Sequence, residues 1–461
     1  MGMKTFIANF LMLMLLAAMS AGALGGDRAV EIHGQWLESV SRSDIDAAMS
    51  LLTNDAVYDD GAGCSFPFMC VGPEGIRPQV ESMVRSRTQF SSITIRPSSA
   101  GAIQWTTARF ETRSDAVRAL GVERIVQSTT AVVRGNRIVT LRMRGDGSDG
   151  ATAKFLAAQP RAPLRPQPPT AEPHGRFVDI GGRKMYMECV GTGSPTVVFE
   201  SGYDPVGGAS GPVWDGNQPG ARPNRNILNS VGTITRACSY DRAGIGLSDR
   251  GPTPRTGIRV VEDLRTLLQR AGEHPPYVLV GFSLGGPLVY LFAGRHPDEV
   301  GGIVLVDPSV SPFGFSERLW EMLPATLAQE NRESTNGFYA RAANPRAFEG
   351  GWDLRALDAQ VRGTFRSASL PDVPIVVLTA GMPDVNPYDF GPGWTEELIA
   401  ARERLRLAFH SQLAKTTPRG RQVFIDSSEH LVFHFAPLVL ATTVREVVET
   451  VRSNQRQGGR E

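Results

Sequence analysis

The chain lacks any excess of charge. Its 48 Lys and Arg stand against 47 Asp and Glu, a formal net charge of +1, so neither nucleic acid nor an anionic membrane is favoured as a partner. Cysteine is scarce as well, with four in 461 residues: Cys64, Cys70, Cys189 and Cys238. No C-x-x-C pair is present and no histidines cluster near these positions, which argues against a zinc site. Charge is missing altogether between Lys4 and Asp27. That stretch holds the apolar run from Phe6 to Ala18, then Ala21-Gly22-Ala23 in the A-x-A form of a cleavage site. Residues 1–23 therefore read as a secretory signal peptide. The apolar segment is short for a membrane span; an uncleaved N-terminal anchor is the alternative. No cysteine lies near the cleavage site, so a lipoprotein anchor is not indicated. In an exported chain an even number of cysteines favours disulfides over free thiols. Cys64 and Cys70 are close enough to staple one loop.

The chain is too long for one ordinary domain. Residues 154–173 carry six prolines, a density that no helix or central strand supports. An extended linker over 151–174 is expected, dividing a first part (27–150) from a second (175–453).

In the first part, Val30, His33, Trp36, Leu37 and Val40 recur at helical spacing. Ser43-Asp44 caps a second helix with Ile45, Ala48, Met49 and Leu52 on one face, and Asn54-Asp55 breaks it. Gly72-Pro73-Glu74-Gly75-Ile76 opens a third helix. Alternating runs follow at Ser92–Ile95, Ile103–Glu111, Arg124–Val133 and Arg137–Arg144, with Gly135-Asn136 as a hairpin turn between the last two. The pattern is α+β, helices first and then an antiparallel sheet. Trp36, the run Ser43 to Ala48, Leu52, Asp55-Ala56-Val57-Tyr58 and Gly72 to Ile76 together resemble a SnoaL-like domain of the ketosteroid-isomerase superfold. The resemblance implies a cone with an internal pocket, in a family with many non-enzymatic members. Asp59, Asp60 and His33 are the polar candidates for that pocket; as plain residues they read as surface carboxylates and a helix-face histidine.

The second part alternates strand and helix signals, so a mostly parallel sheet is expected. Its apolar strands are Lys184–Val190, Thr196–Phe199, Ile234–Tyr240, Tyr277–Val280, Ile303–Val306, Ile375–Leu378 and Gln422–Ile425. Directly after one of them comes Gly281-Phe282-Ser283-Leu284-Gly285-Gly286, followed by a helix-forming stretch. A strand, a G-x-S-x-G turn and a helix are the context of a nucleophile elbow. A serine hydroxyl is a poor nucleophile unaided, so a histidine base and a carboxylate are required further along.

The elbow, the stretch Gly193 to Tyr203 and the stretch Tyr240-Asp241-Arg242-Ala243-Gly244-Ile245-Gly246-Leu247-Ser248-Asp249 together resemble an α/β-hydrolase, over about residues 175–453. The resemblance implies a chain order of serine, acid and histidine. Ser283 is the expected nucleophile and His430, after the strand Gln422–Ile425, the expected base. Asp384, at the end of Gly381-Met382-Pro383-Asp384, is the expected acid. Asp307, at the end of Ile303–Val306, is its competitor. The backbone N–H groups of Leu284 and Tyr203 are the expected oxyanion donors. Cys189 and Cys238 fall on strands that the family places side by side, which implies a second disulfide. Residues 308–373, rich in aromatics, occupy the place of a cap over the site.

These readings point to an exported serine hydrolase for a small-molecule carboxylic ester or lactone, with no metal or cofactor. The alternatives are a serine peptidase of the iminopeptidase type and a non-catalytic ligand-binding protein. A serine nucleophile excludes the aspartate-nucleophile branches of the fold.

Overall fold

The computed structural model describes residues 26–60, 64, 70–100, 103–158, 175–203, 227–346, 349–367, 370–382, 390 and 393–458. The expected signal peptide lies outside the described residues, as do 159–174 of the expected linker. The chain divides into two compact units, residues 1–161 with 382–403, and residues 162–381 with 404–461.

The first unit opens with α1 (26–41), in which Ile32, Trp36, Leu37 and Val40 are fully buried. Asp44 caps α2 (Ile45–Ser50), its side chain accepting from the Ala47 N–H at 2.9 Å. Then come β1 (Leu52–Asp59), β2 (Cys70–Val71) and α3 (Gly72–Arg85). The remaining elements are β3 (Gln89–Ala100), β4 (Ile103–Arg113), α4 (Asp115–Ala119), β5 (Ile125–Arg134), β6 (Arg137–Gly145) and α5 (Gly150–Ala158). The strands form one sheet in the order β2-β1-β6-β5-β4-β3. The apolar faces of α1, α2 and α3 share a core with one face of that sheet. The α+β expectation holds, with two corrections. The sheet is mixed, because β1 runs parallel to β6, and Asn54-Asp55 lies inside β1 where its register shifts. The linker begins later than expected, because Lys154–Ala158 belong to α5. No proline precedes Pro160 in that stretch, the Asp149 carboxylate accepts from the Thr152 N–H, and Phe155 packs on Val117, Val122 and Ile125.

The second unit carries an eight-stranded sheet and has the α/β-hydrolase fold. Its elements are β7 (Arg176–Asp179), β8 (Lys184–Val190), β9 (Thr196–Glu200), α6 (Ile227–Gly232), β10 (Ala237–Tyr240), α7 (Gly257–Ala271), β11 (Tyr277–Phe282), α8 (Gly285–Arg295) and β12 (Val300–Val306). A helical segment follows, α9 (Phe315–Met322), α10 (Ala325–Ala343) and α11 (Leu354–Ser367), and then β13 (Ile375–Ala380). The chain ends through α12 (Glu396–Ala414), in this unit from Arg404 on, β14 (Gly420–Ile425), α13 (Val432–Phe435) and α14 (Pro437–Gly458). The strand order is β14-β13-β12-β11-β9-β10-β8-β7. From β14 to β10 all pairings are parallel; β8 and β7 are antiparallel.

Strands covered on both faces read as unbroken apolar runs, and β11 is buried at every position. Val278, Val280 and Phe282 share a core with α6 and α14. On the opposite face Gly281 abuts Val289 of α8. Among the described helices none is long and apolar enough to cross a membrane.

Both expected disulfides are present, Cys64–Cys70 and Cys189–Cys238. Cys189 and Cys238 sit directly opposite each other on antiparallel β8 and β10. They close a loop with a sequence separation of 49, so the bond limits the unfolded chain. Replacing both cysteines by serine is expected to lower unfolding stability by about 2–4 kcal/mol. Urea unfolding of the oxidised proteins measures it, and peptide mapping without reductant checks the pairing.

Candidate functional site

The site begins where two parallel strands stop together. Phe282 of β11 pairs with Val306 of β12, so the next residues, Ser283 and Asp307, leave the sheet side by side. Both adopt left-handed backbone, with φ of 51° and 40°. Side chains other than glycine rarely take that conformation, and only a surrounding structure that determines it makes it persist. Here the ladder supplies the determination. The Ser283 N–H donates to Val306 O at 3.1 Å and the Asp307 N–H to Leu378 O at 2.8 Å. The elbow's glycines are dictated by space: a Cβ on Gly281 would stand 2.5 Å from Gly285 O, and one on Gly285 would collide with Glu200 O. Leu284 is the N-cap of α8, so its N–H belongs to the positive end of the helix dipole.

His430 reaches the group from the loop after β14. Its Nδ1 lies 2.7 Å from Asp307 Oδ2, and its ring packs on Phe282 with centroids 4.8 Å apart. The imidazole is half exposed while the carboxylate is buried. The Ser283 hydroxyl meets Ser309 Oγ at 3.4 Å. Among the described residues the sequence-expected Ser283 and His430 are thus gathered at Asp307. Asp384 lies outside the described residues.

The Asp307 carboxylate is held from several sides. Oδ1 accepts from the Ala380 N–H at 3.0 Å and from Arg406 Nη1 at 2.8 Å. Burial pushes the acid up, but the Arg406 guanidinium and the bond to His430 outweigh it, leaving Asp307 well below the usual carboxylate range. Beneath it, His410 is fully buried, with Nδ1 3.0 Å from Thr379 Oγ1 and Nε2 3.1 Å from Pro308 O. Burial pushes its imidazole down to about 4, so it is neutral near pH 7. Neither Arg406 nor His410 carries a motif. The one signal is their i, i+4 spacing, which puts both on the same face of α12.

The loop after β9 approaches the serine from another side. A Cβ on Gly202 would lie 3.1 Å from Ser283 Cβ, which places the Gly202–Tyr203 peptide beside Ser283. The Tyr203 ring packs edge-on against Phe338 of α10, 5.5 Å between centroids. Other aromatics of the helical segment serve packing: Phe313 and Phe365 join Tyr290 of α8. A hollow of about 460 Å³ opens between α10, α11 and Thr253-Pro254, but its lining includes neither Ser283, Asp307 nor His430.

The polar candidates of the first unit are engaged. His33 is fully buried, its ring nitrogens 2.8 Å from Thr106 Oγ1 and 2.6 Å from Thr129 Oγ1, and burial pushes it down to about 3. Asp59 accepts from Arg144, and Asp60 from the Cys64 N–H.

A sequence profile of the α/β hydrolase fold family matches residues 208–346. The uncharacterized protein YqjL of Bacillus subtilis (strain 168) is 25% identical over 260 residues, covering 56% of this chain and 85% of that protein. A monoacylglycerol lipase of Mycolicibacterium smegmatis is 41% identical over 54 residues, 11% of this chain and 19% of the lipase. Among solved structures, a thermophilic esterase from Thermogutta terrifontis aligns at a TM-score of 0.35 with 20% identity, over 60% of this chain and 98% of the esterase.

Asp307 and His410 both sit below their ordinary values, so each stabilises the fold above its unfolded value and loses that contribution as pH falls through its folded one. Stability is expected to decline first below 6.5, through His410 down to about 4 and through His33 down to about 3, and to decline further below 3.8 through Asp307. Urea midpoints measured across this range should show a shallower first decline in His410→Gln and a shallower second one in Asp307→Asn.

Proposed function

We propose that this protein is a serine hydrolase of carboxylic esters or lactones, acting through an acyl-enzyme on Ser283, His430 and Asp307. The observation that carries the reading is the 2.7 Å contact from His430 Nδ1 to the buried Asp307 carboxylate, beside a serine held at positive φ on a strand-to-helix elbow. With Nδ1 committed to Asp307, Nε2 is the nitrogen that exchanges protons.

In the first half-reaction Ser283 Oγ attacks the ester carbonyl carbon and His430 takes the hydroxyl proton. The carbonyl oxygen becomes an oxyanion, for which the N–H groups of Leu284 and Tyr203 are the donors. As the tetrahedral adduct collapses, the C–O bond to the alcohol breaks and His430 passes its proton to the departing oxygen. Water then attacks the acyl-enzyme and gives a proton to His430. The carboxylic acid leaves and Ser283 recovers its hydrogen. A lactone follows the same course and opens to a hydroxy acid. Asp307 remains ionised throughout, holding the imidazole tautomer and stabilising its cation.

Asp307 replaces Asp384 as the acid in this proposal because it is the carboxylate bonded to the base. The ester reading is favoured over an aminopeptidase by the state of the buried carboxylates in the helical segment. Glu349 accepts from Arg242, and Asp358 from the Tyr339 hydroxyl, so both are committed before a substrate amine arrives. The two disulfides suit an oxidising compartment, supporting export by way of residues 1–23. The three helices packed on a mixed six-stranded sheet support the SnoaL-like reading of the first unit.

Mature protein assayed with short and medium p-nitrophenyl esters, and with aminoacyl anilides, tests the proposal. Ester turnover is expected, and Ser283→Ala should abolish it. Turnover of anilides alone would select the peptidase. Asp307→Asn is expected to lower kcat by roughly 10⁴-fold, while Asp384→Asn stays near wild type. The reverse ranking would restore Asp384 as the acid.

A further inference from the structure

The motif residue Arg242 has no part in the chemistry above, yet it is among the most buried side chains of the molecule. A guanidinium has five N–H donors in a rigid plane, and here all have acceptors. Nη1 donates to Glu200 Oε1 and to Ser201 O, both at 2.6 Å. Nη2 donates to Gly202 O at 2.5 Å and to Glu349 Oε1 at 2.6 Å. Nε donates to Glu349 Oε1 at 2.8 Å. One side chain thus ties the end of β9, two successive carbonyls of the loop beside Ser283, and a carboxylate between α10 and α11.

The carbonyl of Gly202 belongs to the same peptide as the N–H of Tyr203. That peptide is trans, and in a planar trans peptide the C=O and N–H point in opposite directions. Whatever holds the oxygen therefore aims the hydrogen. The position needs such a hold. Gly202 is required by the closeness of Phe282 and Ser283, but a glycine leaves the following peptide free to turn over. Glu349, which holds the other edge of the guanidinium, has a φ of 45°. In this unit it joins Ser283 and Asp307 as the non-glycine residues described in left-handed backbone. Its segment is also pinned: the Arg255 N–H donates to Gly351 O, the Asp353 N–H to Arg255 O, and the Arg255 guanidinium lies over the Trp352 ring at 4.6 Å.

We infer that Arg242, braced by Glu349, is a positioning residue that locks the Gly202–Tyr203 peptide with its N–H turned toward the oxyanion. The inference rests on the serine-hydrolase reading. It adds that the oxyanion donor is set from behind by an ion pair reaching into the helical segment, so that this segment influences transition-state stabilisation as well as substrate access.

The test compares wild type with Arg242→Lys, which keeps the charge and loses the fork, and with Glu349→Gln, which keeps the shape and loses the charge. Active sites are first titrated to completion with a fluorophosphonate that labels Ser283, and kcat for a p-nitrophenyl ester is expressed per titrated site. Loss of one oxyanion donor lowers kcat by about 10²–10³-fold. Arg242→Lys should fall at least about tenfold toward that range with KM nearly unchanged, and Glu349→Gln should fall less in the same direction. Affinity for a trifluoromethyl ketone, whose adduct with Ser283 carries an oxyanion, should fall in parallel with kcat/KM. A residue with only a structural role would lower Tm and the titratable fraction without changing kcat per site, and that result in both variants would overturn the inference. If Arg242→Lys does not fold, Glu349→Gln decides alone by the same criterion. A wild type that turns over no ester through Ser283 would reject the underlying reading instead, and with it this inference.

Discussion

The candidate site depends on the register of one parallel ladder. β11 and β12 end level, Phe282 against Val306, and β12 and β13 stay in step from Ile303 with Ile375 to Val306 with Leu378. Because the strands end level, Ser283 and Asp307 emerge as neighbours, and the ladder's own hydrogen bonds hold them in left-handed backbone. A slip of one residue would turn every side chain to the opposite face. Gly281 opposes that slip, because any other β11 residue in its place would bring a Cβ to 2.5 Å from Gly285 O, so the packing of α8 and the placing of Ser283 are set by the same constraint.

Around this ladder, buried charge is arranged in closed sets. Asp307 is ionised in a buried place because Arg406, the Ala380 N–H and His430 face it, while His410 beneath is neutral and keeps its polar atoms on Thr379 and Pro308. Arg242 is enclosed with Glu200 and Glu349 in the same manner. A buried ion left unpaired would cost several kcal/mol. Such sets are therefore stable only complete, and a complete set holds every member in one orientation. Rigid hydrogen-bond donors and acceptors of this kind are what a reaction that develops charge needs.

Much of this was legible in the linear chain. The period-2 and apolar runs located β3 to β6 of the first unit and placed the strands of the second to within a few residues, missing β1, where Leu52 was expected on a helix, and the short β2 and β7. The elbow announced itself because close packing there leaves no room for a Cβ, at Gly281 against Gly285 O and at Gly285 against Glu200 O, so the glycines stand out in the sequence. The pairing of Cys64 with Cys70 is local, and that of Cys189 with Cys238 was implied by the strand order of the family that the chain resembles. The helical Lys154–Ala158 was hidden by the prolines that follow it, since composition averages over a window while a helix ends at a particular residue. The parallel pairing of β1 with β6 was hidden because strand direction is a property of the assembled sheet.

The choice between acids shows where such reading stops. Asp307 and Asp384 both stand after apolar strands, and nothing in either neighbourhood says which carboxylate His430 will meet. The residues that hold Asp307 come from β13, α12 and the loop after β14, and only folding brings them together. Arg242 is a conspicuous motif residue, but its partner Glu349 lies in a segment with no motif, 107 positions away. Local patterns of side-chain size and polarity were enough to determine most strands of the second unit and the elbow that carries Ser283. Partners distant in sequence, and with them the ionisation of Asp307 and the hold of Arg242 on the Gly202 carbonyl, were decided only by tertiary structure, because electrostatic interactions depend on distance in space.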